Sequence, residues 1–126
     1  MTDVTTIVDT YLEMWNEPDQ ARRADLIRTA WIESGHYVDP LMESRGYDGL
    51  STMVDGVQQQ FPGATFRRTS GVDQHHALIR FGWELVAADG TSIVAGLDIG
   101  VVSDDGRLDR IAGFLGELPE AEAAAA

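Results

Sequence analysis

The hydrophobic periodicity of this chain changes once, at Pro62-Gly63, and that change sets the class of fold. Before it, apolar residues recur at helical spacing; after it, they alternate. Val4, Ile7, Val8, Tyr11, Leu12 and Trp15 form one stripe, which predicts a helix from about Thr2 to Trp15. Asp3 or Thr2 can cap it, and Asn16-Glu17-Pro18-Asp19 breaks it. Asp19 caps a second helix to about Glu33, with Leu26, Ile27, Ala30 and Trp31 inward and Ser34-Gly35 at its end. His36 to Asp39 reads as a short strand stopped by Pro40, and Leu41 to Tyr47 as a loop. A third helix, from about Asp48 to Gln60, turns Leu50, Met53, Val54, Val57 and Phe61 to one side.

Beyond the break, alternation predicts strands at Thr65–Val72, Ala77–Ala87, Ser92–Val102 and Leu108–Gly116. Ala88-Asp89-Gly90 and Asp104-Asp105-Gly106 are hairpin turns, where Asp-Gly supplies the positive φ angles. Three amphipathic helices and four long antiparallel strands must bury both sets of apolar faces. A strongly curved sheet wrapped around the helices does this, so the expected class is α+β. The 126 residues suit one domain, residues 1–117, with a Glu/Ala-rich tail over 118–126 expected to be flexible.

Charge narrows the partners. The chain has no lysine and a net charge of −12, which repels a phosphate backbone and excludes nucleic acid. Without cysteine it can form neither disulfides nor thiolate zinc sites. No apolar run approaches the ~20 residues of a membrane span. Met1-Thr2-Asp3-Val4 does not begin a secretory signal, so the expected location is the cytoplasm. The histidines His36, His75 and His76 lack metal-ligand spacing, and there is no phosphate loop, nucleophile elbow or dinucleotide fingerprint; neither a metal nor a cofactor is expected.

The strand Ser92–Val102 is the most informative segment. Its odd positions, Ile93, Ala95, Leu97, Ile99 and Val101, are all apolar. If the even positions face the helices, the odd ones form an outer ridge that needs a partner, which predicts a homodimer through the sheet. Among the even positions stands Asp98, the one charge in the run. Strand interiors disfavour Asp, and a desolvated carboxylate must be paired, hydrogen-bonded or protonated. Gly96 and Gly100 flank it and would leave open space beside the carboxyl, as a pocket floor does. The bland alternative pairs Asp98 with an arginine such as Arg80, or with a hydroxyl. Asp39 precedes Pro40, where a simple Asx turn competes with a chemical role. Tyr11 lies inside the first apolar stripe, and its hydroxyl needs a partner if buried.

These residues together resemble the nuclear transport factor 2-like superfamily, in particular SnoaL-like domains, over about Val4 to Gly116. Three places resemble ketosteroid isomerase. Tyr11-Leu-Glu-Met-Trp-Asn16-Glu-Pro-Asp19 is similar to its first-helix tyrosine followed by Asn and Asp. Tyr37-Val38-Asp39-Pro40 resembles its catalytic Asp-Pro. Asp98 falls on the strand that carries its second aspartic acid. The resemblance implies a cone-shaped fold. It would make Asp39 a general base, and Tyr11 with a protonated Asp98 the donors to an oxyanion; that isomerase is a known example of a carboxyl kept neutral. Polyketide cyclases of the SnoaL type are similar too, and would use Asp98 as the acid/base. Limonene epoxide hydrolases share the fold but carry Arg-x-Asp where this chain has Arg80-Phe81-Gly82.

Two functions follow as expectations. One is a cofactor-independent enzyme that moves a proton beside the carbonyl of a small hydrophobic molecule, with Tyr11, Asp39 and Asp98 acting and Trp15, Phe61 and Trp83 as apolar walls. The other is a non-catalytic binding or dimeric interaction module. The first requires the three polar residues to converge on one cavity large enough for a bicyclic molecule; the second tolerates divergence or a collapsed cavity.

Overall fold

The computed structural model describes residues 3–123. Thr2, one of the two candidate caps, and the last three residues of the tail lie outside them. Helix α1, Val4–Asn16, is capped by Asp3, whose carboxylate accepts from the Thr5 amide at 2.9 Å. It buries Ile7, Val8, Tyr11, Leu12, Met14 and Trp15. Helix α2, Gln20–Ala30, is capped by Asp19.

Helix α2 stops three residues before the expected Glu33, because Trp31 turns extended and begins strand β1, Trp31–Val38. The Trp31 ring folds back over Gly35, where a Cβ would fall inside it. The register against the neighbouring strand shifts between Trp31 and His36. That bulge hides the alternation, and Ile27, Ala30 and Trp31 mimic a helical stripe. The expected loop contains strand β2, Glu43–Arg45, and helix α3 starts at Gly46 rather than Asp48, running to Gln60. Gly46 has φ of 75°, a conformation that suits glycine at this strand-to-helix corner.

The expected strand Thr65–Val72 is two pieces, β3 at Thr65–Arg68 and β4 at Asp73–His75, both pairing with β5, Leu78–Val86. The interruption falls at Ser70, whose hydroxyl accepts from the Gly82 amide at 2.8 Å in place of a backbone carbonyl. Strands β6, Ser92–Val102, and β7, Leu108–Leu115, complete a sheet of order β2-β1-β7-β6-β5-β3. Only β1 and β7 run parallel in that order. The chain therefore inserts its last strand between β1 and β6.

The three helices pack on the inner face of this curled sheet. Ile79, Phe81, Trp83 and Leu85 alternate inward along β5, as their spacing predicts, and join the helix stripes in one core. The charged residue at the centre of the helical layer is Arg23. It donates to the Glu17 carbonyl at 3.0 Å and to Asp55 at 2.6 Å, pinning the α1–α2 turn to α3. On the outer face, Ile99 of β6 and Phe114 of β7 are 39% and 55% exposed, so an apolar strip lies open to solvent. Among the described residues no helix is long and apolar enough to cross a membrane.

Candidate active site

Strand register brings the carboxyls together. Asp98 of β6 pairs with Phe81 on one side and Gly113 of β7 on the other. Gly113 lies one position past the Val38–Ala112 pair, which sets it beside Asp39. One row across the sheet thus reads Phe81, Asp98, Gly113, Asp39. A Cβ on Gly113 would stand 2.9 Å from Asp98 Oδ1 and 3.3 Å from both Asp39 Cβ and the Tyr37 hydroxyl. Gly113 is the clearing between the two acids.

Asp98 is 2% exposed. The Tyr11 hydroxyl donates to its Oδ2 at 2.8 Å, and Trp83 Nε1 donates to its Oδ1 at 2.9 Å. The Asp98 carboxyl is raised to about 7: burial drives the rise, the bonds from Tyr11 and Trp83 offset part of it, and the charge of Asp39 adds to it. Arg80, the sequence's candidate partner, pairs instead with Asp73 at 2.8 Å on the exposed side. The hydroxyl partner is Tyr11. Gly96 and Gly100 do not form an open pocket floor. The Trp83 indole fills the space over Gly96, and Ile111 and Ile79 crowd Gly100, at 2.8 Å and 3.0 Å from a would-be Cβ.

Asp39 is half-buried at the end of β1. Its Oδ1 accepts from the Leu41 and Met42 amides at 2.8 and 3.0 Å, which is the Asx turn before and after Pro40. Its Oδ2 accepts from the Tyr37 hydroxyl at 2.6 Å. A carboxylate offers about four lone-pair sites, so the site left vacant is on Oδ2. Burial holds the hydroxyls of both Tyr11 and Tyr37 well above the ordinary tyrosine range, and the nearby carboxylates add to it. Both tyrosines are therefore donors, not bases.

These groups open onto one cavity of about 290 Å³ between α1, α3 and the sheet. Tyr11, Asp39, Asp98, Trp15, Phe61 and Trp83, all named from the sequence, line it together. Tyr37, Gln60 and Phe66 join them, and the lining contains no arginine or histidine. Trp15, Phe66 and Trp83 form an aromatic wall with ring centres 5.2 and 5.6 Å apart. The volume is at the small end of the ~300–1,000 Å³ typical of small-molecule sites, which suits a compact apolar ligand with a polar tip. Among the described residues no cluster of three or more acidic or histidine side chains could hold a metal ion.

Sequence reasoning missed three features. Tyr37 stands two positions before Asp39, on the same face of the strand, so alternation alone could have paired them. Gly113 is a glycine inside an apolar strand, a known mark of close approach. Trp83 was expected only as an apolar wall; its N–H bond to Asp98 depends on strand register, which no local pattern reveals.

No protein-family model and no curated protein sequence matches the chain. Solved structures do. A candidate isomerase of the SnoaL-like family from Agrobacterium tumefaciens strain C58 is 40% identical, over 93% of this chain and 100% of that one, with a TM-score of 0.86. A nuclear transport factor 2-like protein of unknown function from Exiguobacterium sp. 255-15 superposes with a TM-score of 0.70 at 19% identity, over 89% of this chain and 99% of that one. A candidate SnoaL-like polyketide cyclase from Jannaschia sp. CCS1 gives 0.65 at 15% identity, over 91% and 89%. The last two share the fold; the first shares sequence along its whole length as well. On fold, coverage and identity together, this chain belongs to the SnoaL-like family, built on the nuclear transport factor 2-like α+β cone.

Proposed function

We propose that the cavity is the active site of a cofactor-independent proton-transfer enzyme, an isomerase or cyclase acting on a small hydrophobic carbonyl compound. The observation that carries this reading is the pairing of two unlike acids across Gly113: Asp98 is buried with two donors, and Asp39 is half-buried with a vacant site on Oδ2. The Agrobacterium and Jannaschia relatives, a candidate isomerase and a candidate polyketide cyclase, point the same way. In the proposed step Asp39 Oδ2 takes a proton from the carbon beside the carbonyl. The C–H electron pair moves into the C–C bond and the carbonyl pair onto oxygen. The Tyr11–Asp98 pair donates to that oxygen, and Asp39 returns the proton to carbon. A lining without cations fits a neutral substrate rather than a carboxylate or phosphate.

The test is a panel of cyclic ketones and enones in deuterated water, with α-proton exchange followed by NMR. Asp39→Asn is expected to slow exchange by about 10²–10⁴-fold while leaving ligand binding nearly intact. If no ketone exchanges faster with the unmodified protein than with Asp39→Asn, while phenolates still bind, the cavity is a receptor site.

We further propose that the exposed Ile99 and Phe114, with half-buried Leu97 beside them, close a homodimer, since an apolar patch left open on a sheet face marks a contact surface. Sedimentation as a compact monomer at micromolar concentration would remove this proposal.

A further inference from the structure

Trp83 Nε1 can only donate a hydrogen, and it donates to Asp98 Oδ1. The indole is fixed in that position. Phe66 packs against it with ring centres 5.6 Å apart, and its cross-strand partner Gly96 has no side chain to displace it. Oδ1 therefore stays an acceptor whether Asp98 is charged or neutral. A carbonyl oxygen accepts better than an acid O–H, so the Trp83 bond favours a proton of Asp98 on Oδ2, 2.8 Å from the Tyr11 hydroxyl.

The hydrogens can then be counted. With Asp98 ionised, Tyr11 and Trp83 each donate to one oxygen, and both donors are spent inside the cluster. With Asp98 protonated, three hydrogens share the same two contacts. The surplus hydrogen, from Tyr11 or from Asp98 itself, has no acceptor within the cluster and turns into the cavity.

We propose that Trp83 is a positioning residue that favours the acid proton of Asp98 on Oδ2, so that the Tyr11–Asp98 pair offers the cavity one hydrogen when the carboxyl is neutral and none when it is ionised. This deepens the reading of Asp98 as the acid of the site and rests on it. The ligand selected by the neutral form is an oxygen acceptor: a carbonyl, an enolate or a phenolate. The switch lies at about 7, with burial driving the rise. The groups facing Asp98 are Tyr11 from α1, Tyr37 and Asp39 from β1 and its end, and uncharged Trp83 and Gly113 from β5 and β7. Both tyrosines remain protonated throughout, and the Asp39 charge favours the neutral form of Asp98.

The probe is a fluorinated phenol acidic enough to be ionised across the whole titration, with binding measured against pH. For the unmodified protein the affinity should fall about tenfold per pH unit above the Asp98 titration, because only the neutral carboxyl supplies the hydrogen. The Trp83 indole N–H resonance should move with the same midpoint. In Asp98→Asn the amide oxygen takes the Trp83 hydrogen, which places Nδ2 against Tyr11 and releases the Tyr11 hydrogen at every pH. Its phenolate affinity should be flat. Trp83→Phe keeps an aromatic ring beside Phe66 but removes a bond to the charged carboxyl, so the fall should begin at higher pH. An indole resonance that ignores pH, or a phenolate affinity as flat in the unmodified protein as in Asp98→Asn, overturns the proposal. Should Trp83→Phe not fold, the resonance and Asp98→Asn still decide. Failure of every ketone to exchange, with these slopes intact, removes the enzyme and leaves the switch.

Discussion

Arg23 and Asp98 are both buried charged side chains, and they are buried in opposite ways. Arg23 is saturated: its guanidinium donates to the carbonyls of Glu17, Pro18 and Ser51, to Gln58, and to its counter-ion Asp55. Asp98 has two neutral donors and no cation. The first arrangement leaves nothing for a ligand to do and holds two helices and a turn together. The second leaves a charge state undecided near neutral pH and faces a cavity. A buried charge thus reads as architecture or as chemistry according to whether its own surroundings complete it.

The comparison breaks most visibly at Arg23. Arg23→Ala strands Asp55 and several carbonyls without their donor, and should cost about 3–5 kcal/mol in chemical denaturation. A loss under 1 kcal/mol would mean that the network is ornamental.

Asp98→Asn should do the reverse, and its sign follows from linkage. The folded carboxyl titrates at about 7, above its ordinary value of 3.8, so the folded state holds a proton that the unfolded state releases. Stability from this group is full below the unfolded value and is lost as pH rises towards 7. Asparagine carries no such loss. Its advantage over the unmodified protein should grow between about pH 4 and 7, by on the order of 2–4 kcal/mol. Parallel pH curves for the two proteins would show that Asp98 is ionised at little cost.

The smallest expected change is at Gly113. A methyl group there meets Asp98 Oδ1 at 2.9 Å, so Gly113→Ala should cost about 1–3 kcal/mol and shift the Trp83 indole resonance. An unmoved resonance would mean that the clearing is wider than the row of residues implies.

How much of this was legible beforehand depended on the range of the interaction. Asp98 stood out as the one charge in an apolar run and Tyr11 as a hydroxyl carried inside an apolar stripe, and the positions of helices α1 and α3 followed from their stripes. The α+β order followed from the change of period at Pro62. The boundary between α2 and β1 did not, because the bulge after Trp31 erased the alternation that would have revealed a strand. Gly96 was legible as a space-maker but not for what; the ring it accommodates lies on another strand. Tyr37 was visible by spacing and passed over. The Trp83–Asp98 bond could not be read at all, since it exists only once β5 and β6 have found their register.

The insertion of β7 between β1 and β6 also has a kinetic meaning. Gly113, the clearing between the acids, lies on the last strand to be synthesised, and Tyr11 meets Asp98 across 87 positions of sequence. The site therefore rests on contacts of long loop closure, which form slowly. Until β7 docks, β1 and β6 each present an open edge, a template for pairing with another chain. Chains that lose this strand should aggregate rather than persist as partly active species, and refolding yield should depend on concentration even though the finished cone is small.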